Sequence, residues 1–334
     1  MRRLLQPHVE LAVSLAAVVV LPIVLPSIAM ATEVVIFIIA TLGCNLLIGY
    51  VGLMSFGQAI FFGVGAYACS LTLLHSHVGI GAGLLAAIAA SAIVALFVGF
   101  LSTQKRGIYF VMLTFAFSQM FYFIAYAMAG LTGGDNGLLD IPRPPLVLFH
   151  VTLLSLTPPL EMYGLAAVVF VALFVFLQRV ITSPFGSTLQ AIRENEQRAI
   201  AVGYNTRNFK VIAFVLSGVV TGIAGALYAL FLQFAPLGNI DVSMSERIIV
   251  MSILGGTGSL FGSVLGGTFY VVAGNMLSAI WPRWLLLLGL ILMVVGCYLQ
   301  GGLLGAAERL ARRIGRRGPR AMTPAASNKP VGRP

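Results

Sequence analysis

A short run of charged residues between two long apolar stretches holds most of the chemically active side chains of this sequence. Residues 183–205 read SPFGSTLQAIRENEQRAIAVGYN. Leu189, Ile192 and Ile200 recur at helical spacing, which predicts one short amphipathic helix. Ser187 or Thr188 could cap this helix, and Gly203 would end it. The charged side chains would stand on its polar flank: Arg193, Glu194, Glu196 and Arg198.

Such a helix has two interpretations. A charged amphipathic helix across one face of a protein is suited to docking into a groove of a partner. It could equally rest in the headgroup region of a lipid bilayer. The sequence of the run does not by itself separate the two.

Two glycine-rich segments form the second candidate site. GYVGLMSFG covers residues 49–57, and GGTGSLFG covers residues 255–262. Paired glycine interruptions of apolar segments in two halves of a chain indicate a transport path built from a repeat. Close packing of helices through small residues is the alternative, because it also enriches glycine. The residues predicted to lie near this path are Gly49, Gly52, Ser55, Gly57, Gly255, Gly256 and Ser259.

No constellation of residues predicts catalysis. The sequence contains no Walker A motif for ATP, and its histidines stand apart from carboxylate or cysteine clusters. Glu33 is the only acidic residue between Glu10 and Asp135, and we expect it at a helix end. An odd count of three cysteines without CxxC spacing supports neither a disulfide framework nor a metal site. We therefore expect no metal and no directly bound cofactor.

The composition places these segments in a membrane. Apolar residues make up 59% of the 334-residue chain and charged residues only 9%, against about 25% charged in a soluble domain. The charge-free gaps are long enough for helices of about 20 residues, and their continuous apolar character excludes the alternating strands of a barrel. The fold class is thus an all-α, polytopic membrane protein with the lipid bilayer as its surroundings.

Hydropathy predicts seven single spans, a broken region over 247–280 and a last span. The single spans are predicted at 11–31, 34–53, 58–75, 79–102, 107–130, 162–182 and 209–232, and the last at 284–304. A cleaved signal peptide is an alternative for the first span, because Ala29-Met30-Ala31 fits a cleavage site.

The positions of Lys and Arg predict the orientation. The N-terminus, loop 103–106, loop 179–210 and the C-terminal tail carry 17 of the 20 basic residues. The positive-inside rule then places both termini in the cytoplasm and requires an even number of crossings. Region 247–280 is either a re-entrant hairpin, giving eight crossings, or two short helices, giving ten. The net charge of +10 is explained by this distribution, so nucleic-acid binding is not expected.

Five segments in order resemble branched-chain amino-acid ABC permeases, and specifically the LivM type. In chain order they are residues 49–67, 106–114, 131–138, 183–229 and 253–259. The likeness covers roughly residues 35–305, so we expect a transmembrane permease domain at 1–308, with a cytoplasmic coupling loop at 183–208. Residues 309–334 are expected to form a basic, disordered cytoplasmic tail.

The resemblance implies a multi-pass subunit of an importer in the bacterial inner membrane. A second permease subunit, two ATPase subunits that use ATP and an external substrate-binding protein would be its partners. The resemblance implies that a coupling helix meets an ATPase through Arg193, Glu194, Asn195, Arg198 and Gly203. Gly133 and Gly134 would belong to an external loop. Import of urea, short amides or another small solute, and an ATP-independent channel or scaffold, remain alternatives to leucine, isoleucine or valine import.

Overall fold

Helices account for nearly all of the chain that the computed structural model describes, which comprises residues 7–76, 79–144, 146–148, 151–154, 158–298 and 301–305. Within those residues, seven helices are long and apolar enough to cross a membrane. The helices are α1 (Pro7–Val24), α2 (Ile28–Asn45), α3 (Gln58–Ser76), α4 (Ile80–Ser102), α5 (Ile108–Ala127), α6 (Ala129–Thr132), α7 (Pro159–Thr182), α8 (Pro184–Glu194), α9 (Glu196–Ala201), α10 (Thr206–Leu232), α11 (Val242–Gly255), α12 (Leu260–Ile280) and α13 (Trp284–Tyr298). The predicted tail at 309–334 lies outside the described residues.

The boundary between the first two spans differs from the sequence prediction. α1 ends at Val24, and α2 begins at Ile28. Pro26 interrupts the helix here because its ring removes a backbone donor and restricts the preceding residue. The Ser27 hydroxyl accepts a hydrogen bond from the Met30 amide at 3.2 Å and so caps α2. Glu33 consequently lies inside α2 and not at a helix end, which corrects its predicted position.

Helix α2 ends in a π-helical turn at Leu46–Val51, and it forms the centre of the bundle with α3 and α10. Small residues allow α3 and α10 to approach closely: a Cβ on Gly65 would lie 2.0 Å from the Gly222 carbonyl oxygen. Side-chain hydrogen bonds add to this contact. Gln58 donates to Ser217 at 3.2 Å, and Ser217 donates to the Gly43 carbonyl at 2.7 Å.

The segments predicted to share one side of the membrane meet at one end of the bundle. Arg106 pairs with Glu196 at 3.1 Å, which joins the α4–α5 loop to α9. Glu10 of α1 and Arg193 of α8 both act electrostatically on Tyr50. The carbonyl oxygen of Gly301 lies beside Gly256. We call this end the basic end.

The far end of the bundle lies some 40 Å away, the length of the 27-residue α10. Arg143 donates to the carbonyl oxygens of Leu230 and Phe231 at the end of α10. Leu138 and Ala235 pair as an isolated β-bridge in the same region. Between α6 and α7, strands β1 (Leu146–Leu148) and β2 (Val151–Leu154) form an antiparallel hairpin, a minor addition to the predicted all-α fold.

The broken region 247–280 consists of two helices. α11 has 14 residues and α12 has 21. A turn at 256–259 connects the two helices, and they pack against each other. Gly256 and Gly258 have φ values of +110° and +93°, which favour glycine and end the helices. α12 is long and apolar enough to cross a membrane, and α11 is not among the helices that are, so the choice between a re-entrant hairpin and two crossings stays a prediction.

Candidate coupling and translocation site

The charged run at 183–205 forms two helices instead of the single predicted one. Ser183 precedes α8, and Pro184 occupies its first position, where proline needs no backbone donor. Asn195 has φ −158° and ψ 98°, so it interrupts the helix, and its side chain accepts from the Arg198 amide at 3.0 Å to start α9.

The predicted caps at the start of the helix, Ser187 and Thr188, are therefore wrong. The Ser187 and Thr188 hydroxyls donate to carbonyl oxygens one turn back, at Ser183 and Pro184, as interior helical residues do. Gly203 does follow the helical segment and has a φ of +99°.

The break at Asn195 also divides the predicted apolar stripe. Leu189 and Ile192 of α8 are buried, whereas Ile200 of α9 is 44% exposed and Ala199 is buried in its place. α8 is thus anchored in the protein by its apolar face. The remaining predicted coupling residues, Glu194, Asn195, Arg198 and Gly203, are all exposed.

Arg193 connects the predicted coupling loop to the predicted translocation segments. Its guanidinium group donates a hydrogen bond to the Gly49 carbonyl oxygen. Its aliphatic carbons lie against Gly52, where a Cβ would come within 2.9 Å of the Arg193 Cγ. The predicted coupling loop and the predicted translocation segments therefore touch, through two residues that are 144 positions apart in the sequence.

The two glycine-rich segments approach each other as predicted, and Asn45 joins them. The Asn45 side chain donates to the Ser259 carbonyl at 2.7 Å and to the Ser263 hydroxyl at 2.8 Å. It accepts from the Gly258 amide at 3.1 Å. A Cβ on Gly49 would lie 2.5 Å from the Gly258 nitrogen, so this crossing requires glycine.

The other residues of the predicted path are dispersed. Ser55 accepts from the Gly57 amide at 3.1 Å within its own turn, and it contacts no residue of the second segment by a hydrogen bond that the structure describes. Gly255 packs against the Gly262 carbonyl, and Gly256 against Gly301. These glycines hold helices together. Their place on a transport path stays a prediction.

Sequence reasoning gave no role in the site to two residues of this region, Asn45 and Glu196. Asn45 is fully buried at the end of a mostly apolar helix, and a lone amide there is a signal for an interhelical contact. Glu196 pairs with Lys210 at 2.6 Å as well as with Arg106. An acidic residue in a loop with five basic residues was the available signal for it.

The predicted external glycines form a turn at the far end. Gly133 and Gly134 have φ values of +75° and +58°, and a Cβ on Gly133 would lie 1.9 Å from the Gly137 carbonyl oxygen. The Thr132 hydroxyl donates to the Ala125 carbonyl and fixes this turn on the end of α5. Burial against the end of α10 lowers the pKa of the neighbouring Arg143. Among the described residues, no group of three histidine, cysteine or acidic side chains could hold a metal ion.

Comparisons with known proteins identify relatives across most of the chain. The family model described as "Branched-chain amino acid transport system / permease component" matches residues 27–296. The chain is 27% identical over 299 residues to the high-affinity branched-chain amino acid transport system permease protein LivM of Escherichia coli K12, covering 82% of this chain and 69% of that relative. It is 26% identical to the probable LivM of Methanocaldococcus jannaschii, covering 80% of this chain and 90% of the relative.

A more distant likeness covers half of the chain. The autoinducer 2 import system permease protein LsrC of Escherichia coli O9:H4 is 30% identical over 177 residues, half of each protein. The search of solved structures gave no match.

Proposed function

The chain belongs to the family of branched-chain amino acid transport permease components, and from this membership we propose that it imports leucine, isoleucine or valine as one subunit of an ATP-driven transporter. In this proposal it spans the bacterial inner membrane with both termini in the cytoplasm. It has no catalytic site of its own, because two partner ATPases bind and hydrolyse the ATP.

The contact between Arg193 and Gly49 is the observation that carries this proposal. The buried Leu189 and Ile192 fix α8 against the protein. Because Arg193 lies on this helix, a displacement of α8 would also displace Arg193. The Gly49 carbonyl lies at the π-helical end of α2, next to Gly258. Pressure on α8 would therefore reach the α2 and α12 helices directly.

The exposed charges of the loop supply the surface for an ATPase. The junction of α8 and α9 carries three exposed polar residues, Glu194, Asn195 and Arg198. A rigid helical pair with an exposed polar face is suited to a groove on a partner. A second permease subunit would complete the membrane part, and an external binding protein would deliver substrate to the end that carries Gly133 and Gly134.

The test is substrate-stimulated ATP turnover of the assembled transporter in reconstituted vesicles. Arg193→Gln should lower the stimulation by loaded binding protein and the uptake of leucine several-fold, while insertion and abundance stay normal. Glu194→Ala and Arg198→Ala should also lower them, because they would weaken the ATPase contact. Arg179→Gln is the matched control, since Arg179 is an exposed cation at the end of α7. Normal stimulation in all three loop variants would refute the coupling role.

The likeness to LsrC favours a second candidate, import of another small solute by the same architecture. The ligand bound by the cognate delivery protein distinguishes the two. Calorimetric binding of leucine, isoleucine or valine supports the first candidate, and binding of only a non-amino-acid solute supports the second.

A further inference from the structure

A cavity of about 160 Å³ lies in the half of the bundle away from α8 and α9. Helices α2, α11 and α12 and the first residue of α13 form its walls. Glu33 and Arg247 both line it, on different helices. Since a cavity needs only about 10–15 Å³ of this accessible volume to hold one water, this cavity has room for a molecule the size of a small amino acid.

The two charges of the cavity do not form a direct ion pair. Neither of the ion pairs within 4.0 Å in the described part of the chain includes Glu33 or Arg247. Glu33 acts on Arg247 only at longer range, and the Asn275 side chain, which also lines the cavity, donates to the Val271 carbonyl oxygen at 3.1 Å. Charged side chains within membrane-spanning segments are costly and typically mark substrate pathways. Opposite charges on either side of a cavity are suited to a ligand that carries both.

Part of the remaining wall of the cavity is apolar and aromatic. Phe37, Met251, Val271 and Trp284 line it beside the charged groups, and Tyr270, Asn275 and Ser278 add polar atoms. An apolar wall adjoining two separated charges fits a molecule that has one positive group, one negative group and a hydrocarbon side chain. A free α-amino acid with an aliphatic side chain has this chemistry.

We propose that this cavity binds the zwitterion of an aliphatic amino acid during its passage, a substrate site within the permease itself. The α-ammonium group binds Glu33, the α-carboxylate binds Arg247, and the side chain packs on Phe37, Met251 and Trp284. This inference rests on the proposed function, because it assumes an amino acid as the transported solute.

The position of the cavity would also allow an occupied site to act on the coupling contact. Met251 lines the cavity, and it accepts a hydrogen bond from Thr41 of α2 at 3.7 Å. Asn45, one turn further along α2, holds Gly258 and Ser259 beside Gly49. The same helices thus extend from the cavity to the residue that Arg193 contacts.

The experiment measures equilibrium binding of three radiolabelled probes to the assembled transporter in detergent. L-leucine carries both charges, leucinamide only the ammonium group, and 4-methylpentanoate only the carboxylate. Glu33→Gln should weaken binding of leucine and leucinamide at least ten-fold and leave 4-methylpentanoate unchanged. Arg247→Gln should weaken leucine and 4-methylpentanoate at least ten-fold and leave leucinamide unchanged.

Two neighbouring substitutions serve as matched controls. Glu246→Gln removes an exposed acid next to Arg247, and Arg283→Gln removes an exposed cation in the turn before α13, and neither residue lines the cavity. Both should bind all three probes normally. Folding of each variant is checked by its elution from a size-exclusion column.

Unchanged leucine affinity in both cavity variants, or no leucine binding to the unmodified transporter at millimolar concentration, would overturn the proposal. The proposed function has a separate readout. If the cavity variants bind and transport leucine normally while Arg193→Gln loses ATPase stimulation, the cavity proposal fails and the coupling proposal stands. If leucine-loaded binding protein never stimulates ATP turnover, the proposed function fails.

Discussion

Buried or half-buried polar side chains that form several contacts fix the geometry of the candidate site. Asn45 uses both ends of its amide to join α2 to the turn before α12. Glu196 uses both carboxylate oxygens, one for Lys210 and one for Arg106. Lys210 is only 4% exposed, so its ammonium group depends on Glu196 for compensation. An unpaired buried charge is much more costly than the loss of a surface ion pair.

Glu196→Gln should therefore destabilise the protein by about 1–3 kcal/mol, because it leaves the Lys210 charge buried with only a neutral amide as a partner. The measurement is the midpoint of thermal unfolding in detergent. Glu194→Gln is the matched control, since Glu194 is exposed and forms no ion pair in the described residues. Equal midpoints for the two variants would contradict the importance of the Glu196 pairs.

At the scale of the helices, direct backbone contact determines the packing of α3 and α10. A Cβ on Gly225 would lie 1.8 Å from the Phe62 carbonyl oxygen, and one on Gly65 would lie 2.0 Å from the Gly222 carbonyl oxygen. In a membrane, helix association depends on close van der Waals contact, because lipid is as apolar as the side chains. Neither backbone can move away without disturbing α2, which packs on α10.

Gly225→Ala should lower the free energy of unfolding by about 3 kcal/mol or more, since the added methyl group overlaps the α3 backbone. Gly164→Ala in α7 is the control, because a Cβ there meets nothing within 4 Å. It should stabilise the helix by about 0.5–1 kcal/mol. Thermal unfolding and the yield of monodisperse protein measure both effects. A Gly225→Ala protein as stable as the control would show that α3 and α10 do not pack as described.

At the scale of the whole molecule, the start of α1, the α4–α5 loop, helices α8 and α9 and residues 301–305 meet at the basic end. The ion pair of Arg106 with Glu196 joins the α4–α5 loop to α9. The contact of Gly301 with Gly256 joins residues 301–305 to the turn before α12. Seven of the described helices are long and apolar enough to cross a membrane. An even number of crossings would require one or three of the shorter helices α1, α11 and α13 to cross as well, so the choice between eight and ten crossings stays a prediction.

The topology predicts opposite accessibility for two exposed positions. In a background with the three natural cysteines replaced, Asp135→Cys should react with a membrane-impermeant maleimide on intact cells. Ser187→Cys should react only after the membrane is opened, because loop 183–208 is predicted to face the cytoplasm. Both native side chains are exposed, so accessibility of the site is not limiting. Labelling of Ser187→Cys from outside would reverse the predicted orientation.

The sequence by itself determined the class of the protein, most helix boundaries and the segments that share one end. These properties depend on contiguous residues: the length of an apolar run, the position of a proline and the placement of Lys and Arg. The predicted boundary between the first two spans, at 31–34, was wrong although a local signal was present. Ser27, directly after Pro26, is a typical helix cap and marks the start of α2.

Only the tertiary structure decided which of the predicted residues meet. Asn45 and Ser259 are 214 positions apart, and Arg193 and Gly49 are 144 apart. No local pattern encodes such pairs, because they depend on how whole helices pack around α2. The same packing left Ser55 bonded within its own turn and placed Glu33 beside the same cavity as Arg247. Hydropathy measures how apolar a segment is, whereas contacts between segments follow from the shapes of the helix surfaces that face one another.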